Sequence, residues 1–343
     1  MKVLLLAGGD SNEREVSLTT GKAVCEALIR LGHQVRAIDP ASGQPLLGSD
    51  GDFIAIDRSS PVSTDVADYT GLTALTAALG ADEMDDIEVV FIALHGGAGE
   101  NGSIQCLLEL SGIPGTGSSM TASAVAMDKA VSKRLFTSVG VPTPDWQLYR
   151  LDSDNSIDSI ADAVRNRFTF PIVVKPNDGG STIGLTCVTG DDQLRPAVET
   201  AAEQSRRILV EQYIPGRELT VAVLDGEALP VVEIKAVNGL YDFEAKYTPG
   251  KSEYIVPADV SAHLRDELLQ AAVIVCNVIG VTGLARVDFI LADNGRSYCL
   301  EVNTVPGMTS LSLAPMAAQA AGIEFDQLID RLLKSALKRQ KDK

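Results

Sequence analysis

Apolar residues in the N-terminal part of the chain follow two periods, which predicts alternating strands and helices. The run "VLLLA" ends at glycines, as a buried strand does, and a helical spacing of apolar residues then continues to Gly32. "HQVRAIDP" is typical of a second strand, and the order repeats with a strand at 89–94 and a helix at about 104–110. This alternation predicts a parallel sheet.

Beyond residue 117 the pattern becomes rich in strands. After an acidic segment near 152–162, four stretches resemble strands: "FPIVVKP", "LTCV", "RILVEQYI" and "ELTVAVLDGEALP". The Asp225-Gly226 turn in the last of them predicts an antiparallel hairpin. A polar loop, a helix at about 262–279 and a C-terminal helix follow. We therefore predict a mixed α/β (α+β) fold with domains at residues 1–117, 118–211 and 212–343.

The last alternating stretch, residues 284–307, carries two acids on one face. Asn294-Gly295 predicts a hairpin with a two-residue turn, which fixes the register of the two strands. In that register Asp288 lies opposite Glu301. At ~5 Å and an effective dielectric constant of ~20, two such carboxylates repel by roughly 3 kcal/mol.

The same register gives this hairpin one polar and one apolar face. The polar face adds Arg286 opposite Asn303, and the apolar face holds Val287, Phe289 and Leu291 with Tyr298, Leu300 and Val302. Two carboxylates and an amide oxygen are ligands that Mg²⁺ accepts when it also bridges phosphates. The polar face therefore predicts either a Mg²⁺ site or an exposed sheet face on which the arginine neutralises one acid.

A glycine-rich stretch, "VVKPNDGGSTIG", is the best candidate for a phosphate site. Lys175 ends its strand, and the glycines that follow form a turn whose N–H groups could surround phosphate oxygens. The usual fingerprints are absent, because Gly8-Gly9-Asp10 does not fit GxGxxG and Ser103 stands where a Walker loop needs lysine. The sequence thus favours a phosphate site that is neither a Rossmann nor a P-loop site.

Composition narrows the class of protein further. A formal net charge of −17 over 343 residues argues against a general nucleic-acid binder or a partner of anionic membranes. The five cysteines are widely spaced without a CxxC pair, so we expect reduced thiols, and a count of only three histidines argues against a histidine-rich metal site. The N-terminal apolar run is too short for a signal peptide, and no run approaches the ~20 residues of a membrane span. We expect a cytoplasmic protein.

Eight motifs in order along nearly the whole chain resemble the D-alanine–D-alanine ligase family of the ATP-grasp superfamily. They are "GGDSNEREVSL", "ALHGGAGENG", "MDK", "VVKPNDGGSTIG", "VEQYIPGRELTVAVL", "FEAKY", "ARVDF" and "LEVNTVPGMTSLSLAP". Two features depart from the family pattern. Asn101 stands in "GENG" where an aspartate is expected, and the acidic stretch 41–86 is longer than expected.

The resemblance implies a three-domain ATP-grasp architecture, with a Rossmann-like N-terminal parallel sheet and two antiparallel-sheet units that grip ATP. The implied reaction uses ATP to join two D-alanines through an acyl phosphate, for peptidoglycan precursors. The implied cofactors are two Mg²⁺ ions, or Mn²⁺ in their place, and the implied assembly is a homodimer. A ligase that joins D-alanine to D-lactate or D-serine is the nearest alternative. Two other classes fit less well. A nucleotide-binding regulatory module without catalysis would not need Arg286 beside the metal-binding acids. A dinucleotide oxidoreductase would need a GxGxxG fingerprint, which this sequence lacks.

The resemblance also implies roles for individual residues. Phosphates of ATP would be held by Lys129, Lys175 and Lys246 under a lid that contains Ser181, and the rest of the nucleotide by Glu211, Tyr213, Ile214 and Glu218. Asp288, Glu301 and Asn303 would hold the metal ions. The two D-alanines would be bound by Glu13, His95, Ser312 and Leu313. Arg286 and the Gly307 N–H would stabilise the oxyanion of the tetrahedral intermediate. Tyr247 would close the pocket with Glu13 and Ser181.

Overall fold

The computed structural model of the chain describes residues 1–48, 50–54, 86–236, 251–309 and 312–341. The predictions for Lys246 and Tyr247, and for most of the acidic stretch 41–86, lie outside these ranges. Within the described ranges, no helix combines the length and the apolar character that crossing a membrane would need.

The first sheet is the parallel one that the N-terminal pattern predicts. Its strands are β1 (Lys2–Leu6), β2 (Gln34–Asp39), β3 (Gln44–Pro45) and β4 (Val89–Ile92), in the order β3-β2-β1-β4. Strand β1 pairs in parallel with β2 and β4, and only the short β3 is antiparallel. The helices described in this part are α1 (Arg14–Arg30), α2 (Gly97–Glu100) and α3 (Ser103–Ser111). Gly32 follows α1 with φ of 77°, as its predicted stop requires.

The second sheet is antiparallel and has helices against it. Its strands are β5 (Trp146–Arg150), β6 (Ile172–Pro176), β7 (Thr186–Val188) and β8 (Arg207–Gln212), in the order β5-β8-β6-β7. In sequence, helices α4 (Met120–Met127) and α5 (Lys129–Ser138) precede this sheet, and α6 (Ile157–Arg167) and α7 (Asp191–Gln204) lie between its strands. Helices α6 and α7 form one apolar core with this sheet, whereas α4 and α5 pack on the third sheet.

The third sheet is also antiparallel and supports the acid-bearing hairpin. Its strands are β9 (Gly216–Leu224), β10 (Glu227–Ala228), β11 (Val232–Ala236), β12 (Ser252–Ile255), β13 (Leu284–Ala292) and β14 (Ser297–Asn303). Along β9, Leu219, Val221 and Val223 pack towards helix α8 (Ala262–Ile279), whereas Ala222 and Leu224 pack towards the first sheet. Helices α9 (Leu313–Ala320) and α10 (Phe325–Lys341) complete that second core.

The register of the β13–β14 hairpin is confirmed at the acids but wrong near the turn. Asp288 pairs with Glu301 and Arg286 with Asn303. The turn, however, has three residues, since Ala292 N donates to Arg296 O at 3.0 Å, and a bulge between Asp288 and Phe289 restores the predicted pairing.

The bulge also corrects the predicted apolar face of β14. Ser297 and Cys299 are buried there, while Tyr298 and Leu300 lie on the other face and are half-buried. Val287, Phe289, Leu291 and Val302 are buried as predicted. Leu300 is thereby turned towards a cleft between the second and third sheets.

Candidate active site

A cleft lies where the second and third sheets face each other. The second sheet contributes β6, the end of β8 and the glycine loop, defined here as residues 177–184, and the third sheet contributes β9, β11 and the β13–β14 hairpin. The predicted site residues that line the cleft are Lys129, Lys175, Ser181, Glu211, Tyr213, Ile214, Glu218, Asp288 and Glu301. Its apolar walls are Val173, Leu185 and Cys187 on one side, with Leu219, Ile234, Phe289 and Leu300 on the other.

Three charged side chains form a buried chain at the base of this cleft. The Glu211 carboxylate lies between two ammonium groups, 2.8 Å from Lys133 Nζ and 2.9 Å from Lys175 Nζ. Burial alone would raise the pKa of Glu211, but the two lysines outweigh it and hold that pKa below its ordinary value. Burial lowers the pKa of Lys133, against the pull of the carboxylate. Glu211 is therefore ionised.

The glycine loop is fixed at its base by Asn177, which is completely buried. The side-chain oxygen of Asn177 accepts from Ala130 N at 2.9 Å, and its amide donates to Asp128 Oδ1 at 2.9 Å. Both partners lie at the start of α5, where backbone N–H groups lack helical acceptors. Lys129 begins the same helix, and its Nζ donates to Gly179 O at 2.6 Å. The start of α5 and the base of the glycine loop are thus joined by side-chain hydrogen bonds.

The far side of the glycine loop contacts Glu13, which lies in the N-terminal part of the chain, just before α1. Ser181 Oγ donates to Glu13 Oε1, and Ser181 has φ of 47°, in the left-handed region. Gly180 passes so close to Glu13 that an added Cβ would lie 2.7 Å from Oε2. Glu13 itself is buried, just before α1. A side chain on residue 180 would therefore separate the loop from this carboxylate.

Each acid of the hairpin has a cation beside it. The Arg286 guanidinium donates to both oxygens of Asp288 at 2.9 Å, and Thr220 Oγ1 donates to Asp288 Oδ1 at 2.6 Å. Lys129 Nζ lies 3.3 Å from Glu301 Oε2. The predicted neutralisation of one acid by Arg286 is therefore present. No group of three or more His, Cys, Asp and Glu side chains suited to a metal occurs in the described part of the chain.

The segment after β14 brings Gly307 to the start of α9. Asn303 Oδ1 accepts from Val305 N at 2.9 Å, which shapes the turn. An added Cβ on Gly307 would lie 2.9 Å from Ser312 Oγ. Ser312 precedes α9, and Leu313 is its first residue, with a side chain buried in the core, so only its backbone N–H is offered outward. These N–H groups and the helix dipole favour an anion.

His95 is buried between helix α1 and this turn. Its Nε2 lies 2.9 Å from Thr20 Oγ1, and its Nδ1 lies 3.0 Å from Val305 O and 3.6 Å from Glu100 Oε1. Since the carbonyl can only accept, Nδ1 carries a proton. His95 therefore supports the turn that leads to Gly307.

Sequence reasoning missed several residues that shape the site. Lys133 had one available signal, its position one helical turn after Lys129. Asn177 lies within the glycine motif, but the motif does not indicate its contacts with the start of α5. Thr220 and Leu300 carried no signal, because their places depend on cross-strand pairing and on the bulge.

Two antiparallel sheets that enclose a lysine-lined cleft under a glycine loop define this chain as an ATP-grasp protein. Family profiles agree: residues 2–118 match the D-ala D-ala ligase N-terminus, and residues 135–334 match the D-ala D-ala ligase C-terminus. The chain belongs to the D-alanine–D-alanine ligase family.

Relatives and solved structures support this assignment over the full length. The chain is 44% identical to the D-alanine–D-alanine ligase of Gloeobacter violaceus, covering 98% of this chain and 100% of the relative. It is 43% identical to that of Magnetococcus marinus, covering 98% and 97%. It also resembles the crystal structure of the Bacillus anthracis ligase complexed with ATP, with a TM-score of 0.76, 30% identity and coverage of 100% and 99%.

Proposed function

We propose that this protein joins two D-alanines into D-alanyl-D-alanine at the expense of ATP, in the cytoplasm, for peptidoglycan precursors. One observation carries the proposal: the glycine loop covers a lysine-lined cleft on one side and contacts Glu13 through Ser181 on the other. A single loop can thus close over a nucleotide and an amino acid together. The names of the relatives favour D-alanine over D-lactate or D-serine as second substrate.

The cleft suits ATP in shape and charge. Its apolar walls fit a flat base, next to Tyr213 and Ile214 at the end of β8, and Glu218 on β9 is suited to the ribose hydroxyls. Lys129 and Lys175 are the described cations for the phosphates. Lys246 would join them.

The polar face of the hairpin fits a hard metal ion. Asp288 and Glu301 are directly opposed across the strands, and Asn303 follows on the same face, so all three offer oxygen atoms. They would hold Mg²⁺, or Mn²⁺, which neutralises charge on the phosphoryl group during transfer. Arg286 would then exchange its contact with Asp288 for one with substrate.

The chemistry assigns distinct tasks to the chain's own residues. The γ-phosphoryl group moves to the carboxylate of the first D-alanine, whose ammonium Glu13 holds, and ADP is left. The amine of the second D-alanine attacks the acyl carbon, and the oxyanion that forms is stabilised by Arg286 and the Gly307 N–H. Phosphate then leaves, and the nitrogen loses the proton that it carried into the tetrahedral intermediate. Ser312 and the Leu313 N–H bind the second carboxylate at the start of α9, and His95 supports the adjoining turn.

Three further parts of the proposal concern assembly and closure. Tyr247 would complete the closed pocket with Glu13 and Ser181. The domain division at 1–117, 118–211 and 212–343 is supported by one sheet in each segment, although α4 and α5 pack on the third sheet. Homodimerisation is compatible with Leu110, which is 80% exposed on α3.

The test is phosphate release from ATP and Mg²⁺ with D-alanine, L-alanine, D-lactate or D-serine, with products identified by mass. We expect release with D-alanine and a single dipeptide, and little with L-alanine. Phosphate release with D-alanine but without dipeptide would end the proposal. A depsipeptide or a D-alanyl-D-serine product formed in preference would move the protein to the alternative ligases.

A further inference from the structure

Lys133 is a lysine that the proposed chemistry does not use, and it is completely buried. It lies on α5 behind the cleft and is not among the described residues that line it. Its Nζ donates to Thr143 Oγ1 at 2.6 Å and lies 2.8 Å from Glu211 Oε1. The other oxygen of Glu211 holds Lys175 at 2.9 Å.

The charges of this buried chain do not cancel. Two ammonium groups share one carboxylate, so one positive charge is left over. Lys175 lines the cleft and Lys133 does not, so the surplus is available at Lys175. Without Lys133, the Glu211 carboxylate would act on Lys175 alone and neutralise it. Burying an ion is costly unless it is compensated, which makes a wholly buried lysine an unusual choice for packing.

We infer that Lys133 is a positioning residue for nucleotide binding: it holds and half-neutralises Glu211, so that Lys175 keeps its place and its charge for a phosphate. This inference rests on the proposed function, since it requires a nucleotide in the cleft. A buried lysine at this position could have either of two roles. A lysine that only compensates Glu211 affects stability, whereas one that sets the charge at Lys175 affects binding in proportion to the ligand's phosphates.

The experiment measures dissociation constants of ADP and adenosine by calorimetry, on the full chain without D-alanine. The ratio of the two constants reports the phosphates and corrects for contacts with the base. Lys133→Met should weaken ADP binding by roughly tenfold while adenosine changes by less than about twofold. Lys133→Arg, which keeps the charge, should retain most of the ADP affinity. Lys334→Met removes a lysine that is 70% exposed on α10 and is the matched control for the loss of one charge.

A double variant tests the route through Glu211. In Lys133→Met/Glu211→Gln the carboxylate and its partner are both gone, so the ratio should return to within about threefold of the parent. Equal weakening of ADP and adenosine by Lys133→Met, or no weakening of either, would overturn the inference.

If Lys133→Met does not fold, Lys133→Gln, which removes the charge but keeps a hydrogen-bond donor for Glu211, takes its place. The ratio should fall by a similar factor of roughly ten in Lys133→Gln, because the Glu211 carboxylate then acts on Lys175 alone. An unchanged ratio in Lys133→Gln would contradict the inference. Failure of the proposed function is distinct, because it would show as the absence of dipeptide product in the parent, whereas this inference is measured by ADP binding without D-alanine.

Discussion

Replacing Asn177 by alanine should loosen the glycine loop from helix α5. The change removes a charge-assisted hydrogen bond to Asp128 and leaves Ala130 N, at the buried first turn of α5, without its acceptor. A bond to a charged group contributes about 1.5–3 kcal/mol, and an unpaired buried N–H costs about 1–3 kcal/mol. We therefore expect a local loss of about 3 kcal/mol at this junction, the two effects overlapping in part.

Amide hydrogen exchange measures this loss where it occurs. Since 1.4 kcal/mol corresponds to tenfold, the amides of the first turn of α5 and of residues 178–184 should exchange about 100-fold faster in Asn177→Ala. The core of the second sheet should exchange as in the parent. The affinity for ADP should fall as well, because Lys129 begins α5 and bonds to Gly179.

Asn155 provides the matched control. Its amide also donates to an aspartate, Asp152, at 3.1 Å, but the pair is exposed. Asn155→Ala should change the free energy of opening, as measured by amide exchange, by less than about 0.5 kcal/mol. The reasoning about Asn177 would be refuted if both alanine variants behaved alike, with exchange in the first turn of α5 within twofold of the parent.

The remaining predictions concern carboxylates. Glu301→Gln should slow phosphate release by at least about 100-fold with an unchanged melting temperature, whereas Glu227→Gln, on an exposed strand of the same sheet, should have normal activity. The ADP-loaded variant Asp288→Asn/Glu301→Gln should need at least about tenfold more Mg²⁺ in a titration, and a curve equal to the parent's would exclude these ligands. The Arg217 guanidinium holds the pKa of Glu233 below its ordinary value of 4.5. The ionised pair therefore adds stability above pH 4.5 that is lost as pH falls through the lowered pKa, so urea midpoints of the parent and Glu233→Gln should converge in acid.

The parts of the fold that follow from local pattern could be predicted from the sequence. The β1–α1–β2 unit and the Asp225-Gly226 hairpin are examples, because each depends on a period and a turn within one short segment. Helix α6 was not predicted, since Asp158 and Asp162 on its exposed face, with 73% and 71% of their side chains exposed, made the segment look merely acidic.

The site could be predicted where motifs carried it and not where packing did. Lys175, Glu211 and Glu301 lie together in the cleft, as the resemblance implied. The role of Lys133 could not be predicted, because its position one helical turn after Lys129 does not indicate that it is completely buried against a carboxylate from another sheet. Such burial depends on how α5 packs on the third sheet while facing β8, which is a tertiary property.

The hairpin shows how a correct pairing can arise from a partly wrong derivation. The assumed two-residue turn has three residues, which shifts the register by one, and the bulge at Leu300 shifts it back before Glu301 is reached. A bulge lets one strand keep a required pairing while it turns an extra side chain, here Leu300, to the face of the cleft. The three-residue turn and the bulge therefore cancel in the pairing of Asp288 with Glu301. They do not cancel at Leu300, which faces the cleft instead of the predicted apolar face.

Asp288 and Glu301 can lie opposite each other without a metal ion, because each has a cation beside it. A repulsion of roughly 3 kcal/mol between opposed carboxylates is offset in this structure by Arg286 on Asp288 and Lys129 on Glu301. These two cations are the ones to which the proposed function assigns the oxyanion and a phosphate. A metal ion bound between the acids would replace their compensating charge, so that Arg286 and Lys129 could turn to the substrates. The balance of charge on this face would then be kept in both states.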